Sequence, residues 1–283
     1  MIKRSILCFA VLFGIHLVIV LLNPMVGMAT HQWQDNVIKA QQFIYAEKSD
    51  TVMVGTSLSA RIIRDSIPTV KSVSFGGCAV EDGLRIILSK GDLPRFILAE
   101  TNLFFLDGNP ELVSKMTEGV MPMLRRWIPS LREQYQPICM LASMMASAAD
   151  INPQAGTSTV DMDLLNESIE HHIKYDWQMP EPQAETRMGD MKRLVEMFEA
   201  KGTRVLFFEM PVNERLTHLK RYDQTRELMQ KTFPADRYTY LPFDTTRYVT
   251  TDGEHLDYEG QQVFSHYFKG VLSDLGRSAQ DRN

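Results

Sequence analysis

The chain is poor in cysteine, carries no excess of basic residues and repeats nothing. Only three of its 283 residues are cysteines, Cys8, Cys78 and Cys139. Because Cys8 lies in the first apolar stretch, at most one internal disulfide, Cys78 to Cys139, is possible even in an oxidising compartment. No CxxC and no Cys/His cluster occurs, so no zinc pattern is present, and nothing in the sequence calls for a cofactor. Lys and Arg number 30 against 35 Asp and Glu, a formal charge of −5. Nucleic acid is a disfavoured partner, since a basic face is needed to replace the counterions of a phosphate backbone. No internal repeat or low-complexity tract interrupts a composition that is 44% hydrophobic and 23% charged, which is ordinary for a folded chain. The length suits one large α/β domain with insertions or two small domains, and one main domain is expected.

Charge is missing from the N-terminal region as well. After Lys3 and Arg4 no formally charged residue appears until Asp35, and Ile6 to Leu22 is apolar apart from Gly14 and His16. As a helix those residues span about 25 Å, slightly short of the ~30 Å hydrocarbon core. The positive charges precede the apolar run, so the positive-inside tendency keeps the N-terminus cytoplasmic and exports the rest. The expectation is a signal anchor over 1–30 in an inner membrane, single-pass, with the remainder periplasmic. Gly27-Met28-Ala29 offers the alternative of a cleaved signal peptide, and a buried helix of a soluble protein is the third reading. Cys8 sits too early for a lipoprotein attachment site. Without Lys3 and Arg4 the exported part holds 28 basic against 35 acidic residues, a net charge of −7.

Beyond the anchor, residues 31–48 read as a polar stalk helix, and 49–283 as the main domain. Thr51-Val52-Met53-Val54-Gly55 is a short apolar run closing on glycine, as a buried strand entering a turn should. Ser72-Val73-Ser74-Phe75 ends in Gly76-Gly77 and is followed by helical periodicity. Phe96-Ile97-Leu98-Ala99 ends in Glu100-Thr101-Asn102. The same alternation returns with a helix from Arg187 to Ala200, a strand Arg204 to Phe208, a helix over 214–231, a strand at Tyr238-Thr239-Tyr240-Leu241 and a last helix from Tyr258 to Leu275. Alternating elements with continuously apolar strands predict an open parallel sheet covered on both faces, with ligands outside the carboxyl ends of the strands. Residues 106–186 do not fit one connection. They carry Met116, Met121, Met123, Met140, Met144, Met145, Met162 and Met179 and a loop-like stretch from Asp150 to Thr159. This reads as a mostly helical insertion, its methionines either core filling or an adaptable partner surface.

Chemistry is sought at the strand ends. Ser57 follows the first strand, where a serine either caps a helix or presents its hydroxyl to the ligand crevice. A serine nucleophile needs a base, and the base an orienting acid. Among the seven histidines only His255 has an acid three residues before it, Asp252. Chance alone supplies such a pair about once in a chain of this composition, so the spacing decides little. The position before the last helix, in a loop that can fold over the sheet edge, says more. Acyl transfer also needs donors for the developing oxyanion; Gly77 offers a backbone N–H without a side chain and Asn102 an amide, each at a strand end.

The four segments Gly55-Thr56-Ser57, Ser74-Phe75-Gly76-Gly77-Cys78, Ala99-Glu100-Thr101-Asn102 and Asp252-Gly253-Glu254-His255 resemble, in order, the signature blocks of the SGNH/GDSL hydrolase superfamily. The resemblance covers about 50–105 and 203–275. It implies a flavodoxin-like three-layer α/β/α sandwich, with Ser57 as nucleophile and first oxyanion donor, Gly77 and Asn102 completing the oxyanion hole, His255 as base and Asp252 as its orienting acid. Thr56 stands where the family has Asp, and Leu103 follows Asn102 where the family has Asp. Similar departures occur in anchored members that resemble alginate O-acetylation and D-alanylation accessory proteins, which work beside membrane-bound O-acyltransferases. The implied function is an O-acyltransferase acting on an exported polysaccharide or envelope glycan from an acyl donor. An exported esterase using water, and a non-catalytic partner subunit of a membrane acyltransferase, are the alternatives.

Other candidates read as structural. His171-His172, with Glu167 and Glu170, is a solvated helix face or a surface metal site. Cys78 reads as a small buried apolar residue. Arg125-Arg126-Trp127 is a solvated helix end or a contact for lipid head groups or an anionic glycan. Asp257 is the alternative triad acid.

Overall fold

Five parallel strands order the chain: β1 (Thr51–Gly55), β2 (Val70–Ser74), β3 (Phe96–Glu100), β4 (Arg204–Phe208) and β5 (Thr239–Tyr240) lie in the order β2-β1-β3-β4-β5 in the computed structural model. This is the doubly wound, flavodoxin-like order, whose ligand crevice lies at the carboxyl edge where the winding reverses, between β1 and β3. The structure describes residues 2–22, 29–63, 67–148, 160–244 and 246–280. The loop-like stretch 150–159 and the Gly27-Met28 pair lie outside these.

The chain divides into two compact units, one of residues 1–45 with 114–153 and one of 46–113 with 154–283. This cut differs from a division into 1–30, 31–48 and 49–283, because part of the 106–186 segment groups with the N-terminal helices.

In the larger unit the strands are apolar on both sides because both sides are covered. Met53, Leu98, Leu206 and Phe208 share a core with Phe264 and Phe268 of α10 (Tyr258–Gln280). Val54 points the other way, against Gly83 of α3 (Val80–Lys90), where a Cβ would come within 2.2 Å of Val54. On that face the Phe207 ring lies tilted against Phe233, centroids 4.8 Å apart, and α8 (Glu181–Glu199) packs on β4. The unit also holds α7 (Met162–Lys174) and α9 (Lys220–Thr232). The helix expected over 214–231 is split: a 3-10 turn at Glu214–Leu216, with Asn213 accepting from Arg215 N–H, ends before Leu219, whose extended backbone starts α9. The expected strand 238–241 keeps only two paired residues, and α8 begins six residues earlier than the periodicity from Arg187 indicates.

The smaller unit contains α1 (Ile2–Leu22), α2 (Gln32–Tyr45), the C-terminal half of α4 (Pro110–Thr117), α5 (Met121–Trp127) and α6 (Pro137–Ala148). α1 is 21 residues, about 32 Å at 1.5 Å per residue, so helix continues through Lys3 and Arg4 beyond the apolar run and reaches the hydrocarbon thickness. It is long and apolar enough to be a membrane anchor or a signal sequence. α2 is held to the 3-10 turns after α5: Gln41 accepts from Glu133 N–H at 2.7 Å, and Arg132 lies over the Tyr45 ring at 4.6 Å. Cys139 of α6 is buried against Ile38 of α2.

Candidate active site

The residue after Gly55 begins a tight turn, and its geometry is dictated from inside the sheet. Glu100, the last residue of β3, is fully buried. One carboxyl oxygen accepts from the N–H groups of Thr56 (2.9 Å) and Ser59 (3.0 Å), the other from the Thr56 hydroxyl (2.7 Å). A buried carboxyl is costly unless its lone pairs are met; here three donors of one turn meet them. A Cβ on Gly55 would lie 2.5 Å from that carboxyl and 2.2 Å from the Ser59 hydroxyl, so only glycine admits the contact. The result is that Ser57 stands at the carboxyl end of β1, half-buried, beside the switch point.

The other half comes from the loop before α10. Thr250 pairs with Leu256, and Thr251 N–H donates to the His255 carbonyl at 2.8 Å, closing a small hairpin. At its tip Gly253 has φ +95°, and a Cβ there would meet Leu216 at 2.7 Å and Ile169 at 3.0 Å; both backbone and packing demand glycine. The hairpin points His255 at the turn: His255 Nε2 lies 2.8 Å from Ser57 Oγ, and Nδ1 lies 2.7 Å from Asp252 Oδ2. The second Asp252 oxygen accepts from the N–H groups of His255 (2.8 Å) and Glu254 (3.0 Å). Burial alone would raise the Asp252 carboxyl, but the hydrogen bonds from His255 and the Glu254 N–H outweigh it and hold the group well below the usual carboxylate range. A carboxylate acceptor at Nδ1 favours the tautomer protonated there, with Nε2 as the acceptor facing the serine. Asp257 plays no such part, since its carboxyl accepts from Gly260 N–H at 2.7 Å at the start of α10.

Asn102, buried at the end of β3, donates from Nδ2 to the Met210 carbonyl (2.8 Å) and accepts the Met210 N–H on Oδ1 (2.6 Å). That pair fixes the orientation of the amide and leaves the second Nδ2 proton. Gly77 sits in the exposed turn after β2. The N–H groups of Ser57 and Gly77 have no acceptor among the described residues. β2, β1 and β3 are neighbours, so Gly77, Ser57 and Asn102 follow adjacent strand ends, about 4.8 Å apart per strand.

Three supporting groups lie outside the residues that the sequence singles out for chemistry. Glu100 is one. Glu254 is another: it accepts from Tyr222 Oη (2.6 Å) and Arg221 Nη2 (2.8 Å), and the same Arg221 nitrogen lies 3.2 Å from His172 Nδ1. Burial and the neighbouring Glu254 raise the Tyr222 phenol well above its ordinary range, which keeps it a donor. Ser168 of α7 is the third, donating to the Asp252 carbonyl at 2.8 Å. The loop bearing His255 is thus tied to α7 and α9. His172 therefore serves this network, and among the described residues no group of three His, Cys, Asp or Glu is placed to hold a metal. Cys78 and Cys139 are buried and form no disulfide; burial, with Asp82 nearby, pushes the Cys78 thiol up to about 11, so it is no thiolate at neutral pH.

No protein-family model and no curated protein matches the chain. Among solved structures it is similar to a Bacteroides fragilis NCTC 9343 chain described provisionally as an acylhydrolase, at 12% identity and a TM-score of 0.42, over 87% of this chain and 99% of that one. A likeness of that degree bears no weight on activity, which must be read from the site.

Proposed function

We propose that the chain is a serine-dependent O-acyltransferase, anchored by α1 with the larger unit outside the cytoplasm, that transfers an acyl group to a hydroxyl of an exported polysaccharide or envelope glycan. The observation that carries this is the continuous hydrogen-bonded chain Ser57 Oγ, His255 Nε2, His255 Nδ1, Asp252 Oδ2 at the sheet edge. Ser57 attacks the carbonyl carbon of the acyl donor while His255 Nε2 takes its proton; Asp252 steadies the imidazolium. The oxygen that becomes negative is met by the N–H groups of Ser57 and Gly77 and the spare Asn102 amide proton. Collapse expels the donor's leaving group, which takes the proton from His255. In the second half an acceptor hydroxyl gives its proton to His255 and attacks the acyl-serine; collapse breaks the ester bond to Ser57 as His255 returns that proton to Oγ, releasing product and free Ser57.

Several features support transfer over free hydrolysis: the apolar N-terminal helix, the Thr56 and Leu103 departures shared with anchored members of the superfamily it resembles, and the insertion. A membrane-bound O-acyltransferase is the partner this reading implies. The test is to give wild type and Ser57→Ala p-nitrophenyl acetate with and without glycan acceptors. The expected result is an acetyl adduct on Ser57, turnover stimulated by acceptor, and a loss of roughly 10⁴-fold in the variant. Turnover indifferent to acceptor would make water the acceptor and the protein an esterase. Turnover no faster than buffer in both wild type and Ser57→Ala, with no adduct, would leave a non-catalytic partner subunit, and turnover above buffer that Ser57→Ala does not lower would remove Ser57 as the nucleophile.

A further inference from the structure

The smaller unit carries a surface that the chemistry at Ser57 does not use. Val120, Met123 and Trp127, at and before α5, are 57%, 57% and 78% exposed; Ile138, Leu141 and Met145 of α6 are 54%, 53% and 65% exposed. Both sets follow the spacing i, i+3, i+7, which places each on one helix face. The other faces are occupied: Arg125 is buried and donates to the Lys115 and Leu131 carbonyls, and Cys139 is buried against Ile38. Met121, Ile128 and Met144 widen the stripes. No described helix of the larger unit shows such a stripe.

Two further observations say what covers these faces. The first is continuity with α1. The 3-10 turn Pro129–Leu131 packs against α1, and Trp127 and Ile128 immediately precede it, within about 4 Å of chain per residue. α1 exposes apolar side chains along its length, with Leu7 66%, Phe9 69% and Leu12 61% exposed, and buries Val20 in its last turn. The second is charge. In an acidic protein, residues 119–132 contain no Asp or Glu but three arginines, Arg125, Arg126 and Arg132, and Glu133 is the sole acid from there to Ala149. Arg126 is exposed beside Trp127. An apolar stripe with tryptophan at its edge and arginine beside it is the composition of a helix lying in a membrane interface, the ring at headgroup level and the guanidinium on phosphate.

We propose that α5 and α6 lie in the interface of the bilayer that α1 crosses, their stripes against the acyl chains and Arg126 on anionic phospholipid head groups. This rests on the reading of α1 as a retained anchor. Three short segments then hold the smaller unit in one orientation at the surface, where α1 alone would let it swivel.

The test uses the full-length chain in phosphatidylethanolamine and phosphatidylglycerol vesicles. In a Trp33→Phe/Trp177→Phe double variant, leaving Trp127, acyl-brominated phospholipid is expected to quench emission roughly twofold. Wild type photolabelled with a diazirine-tailed phosphatidylglycerol is expected to carry adducts within 120–128 and 138–145 as well as in α1. Unquenched Trp127 and adducts confined to α1, in a chain that resists alkaline carbonate extraction, would overturn the interfacial helices and leave the anchor standing. Extraction by carbonate would overturn the anchor and the interfacial helices with it. Trp127 unquenched in lipid vesicles but shielded in native membranes would assign the face to a membrane protein instead.

Discussion

The turn that carries Ser57 and the hairpin that carries His255 meet at 2.8 Å, yet they are supported differently. The turn is braced by one fully buried side chain of the neighbouring strand, Glu100, which satisfies three of its donors. The hairpin hangs on a network, Glu254 to Arg221 and Tyr222 and Ser168 to the Asp252 carbonyl, supplied by helices outside the sheet. A serine fixed by the core cannot move without disrupting the sheet edge. A histidine fixed by peripheral helices can be tuned by whatever touches them. In this architecture the placement of Ser57 belongs to the fold and that of His255 to its elaborations.

Among the supporting residues, removing the brace should have the largest effect. Glu100→Ala strands three buried donors, at ~1–3 kcal/mol each, and is expected to destabilise by roughly 3–5 kcal/mol and to lower kcat on p-nitrophenyl acetate about 100-fold. Glu100→Gln keeps one oxygen for the two N–H groups and gives an N–H to the Thr56 hydroxyl, so it should restore most of the activity. A Gln variant as poor as Ala would show that charge, rather than the hydrogen-bond pattern, is what the turn requires. Glu254→Ala should cost less, about 10-fold in kcat with KM little changed and ~2–3 kcal/mol of stability, because Arg221 keeps Asp176 within 3.9 Å. Equal losses at 100 and 254 would erase the distinction between core and peripheral support.

The smallest effect on activity is expected at Glu81, a contrasting glutamate that is half-buried. One of its carboxyl oxygens is buried with no partner among the described residues, and burial raises the group from 4.5 to about 7. Between those values the folded chain holds a proton at Glu81 that the unfolded chain has lost, so this group's contribution to stability falls as pH rises from about 4.5 to 7 and is constant beyond. Glu81→Gln cannot ionise. It should match wild type near pH 4 and exceed it by up to about 3 kcal/mol at pH 8 in urea unfolding, with kcat unchanged. A variant less stable than wild type at pH 8 would reverse the assignment.

Much of this was legible residue by residue. The apolar runs at 51–55, 72–75, 96–99 and 204–208 found the four long strands, since strands covered on both faces must be apolar throughout. The same logic carried a signal left unread: a charged residue closing such a run, Glu100 after Phe96-Ile97-Leu98-Ala99, is costly there unless something meets it. Thr56 stood out in the sequence only as a departure; in the fold its hydroxyl is the partner of that carboxyl. The ties of Glu254 to Arg221 and Ser168 to Asp252 span 33 and 84 residues and have no local pattern to betray them.

Local rules therefore reach the elements and the residues that end them. Periodicity, glycine and the run of uncharged residues give the parallel sheet, the N-terminal apolar helix and the strand-end positions of Ser57, Gly77 and Asn102, because each depends on neighbours a few residues away. The Asp252 and His255 spacing occurs about once by chance and acquires meaning when the hairpin folds back and sets Nε2 on Ser57 Oγ. Which carboxylate meets His255, Asp252 and not Asp257, which side chain braces the turn, and which faces of α5 and α6 stay bare are matters of distance between remote segments, and those distances exist once the sheet and its helices have closed.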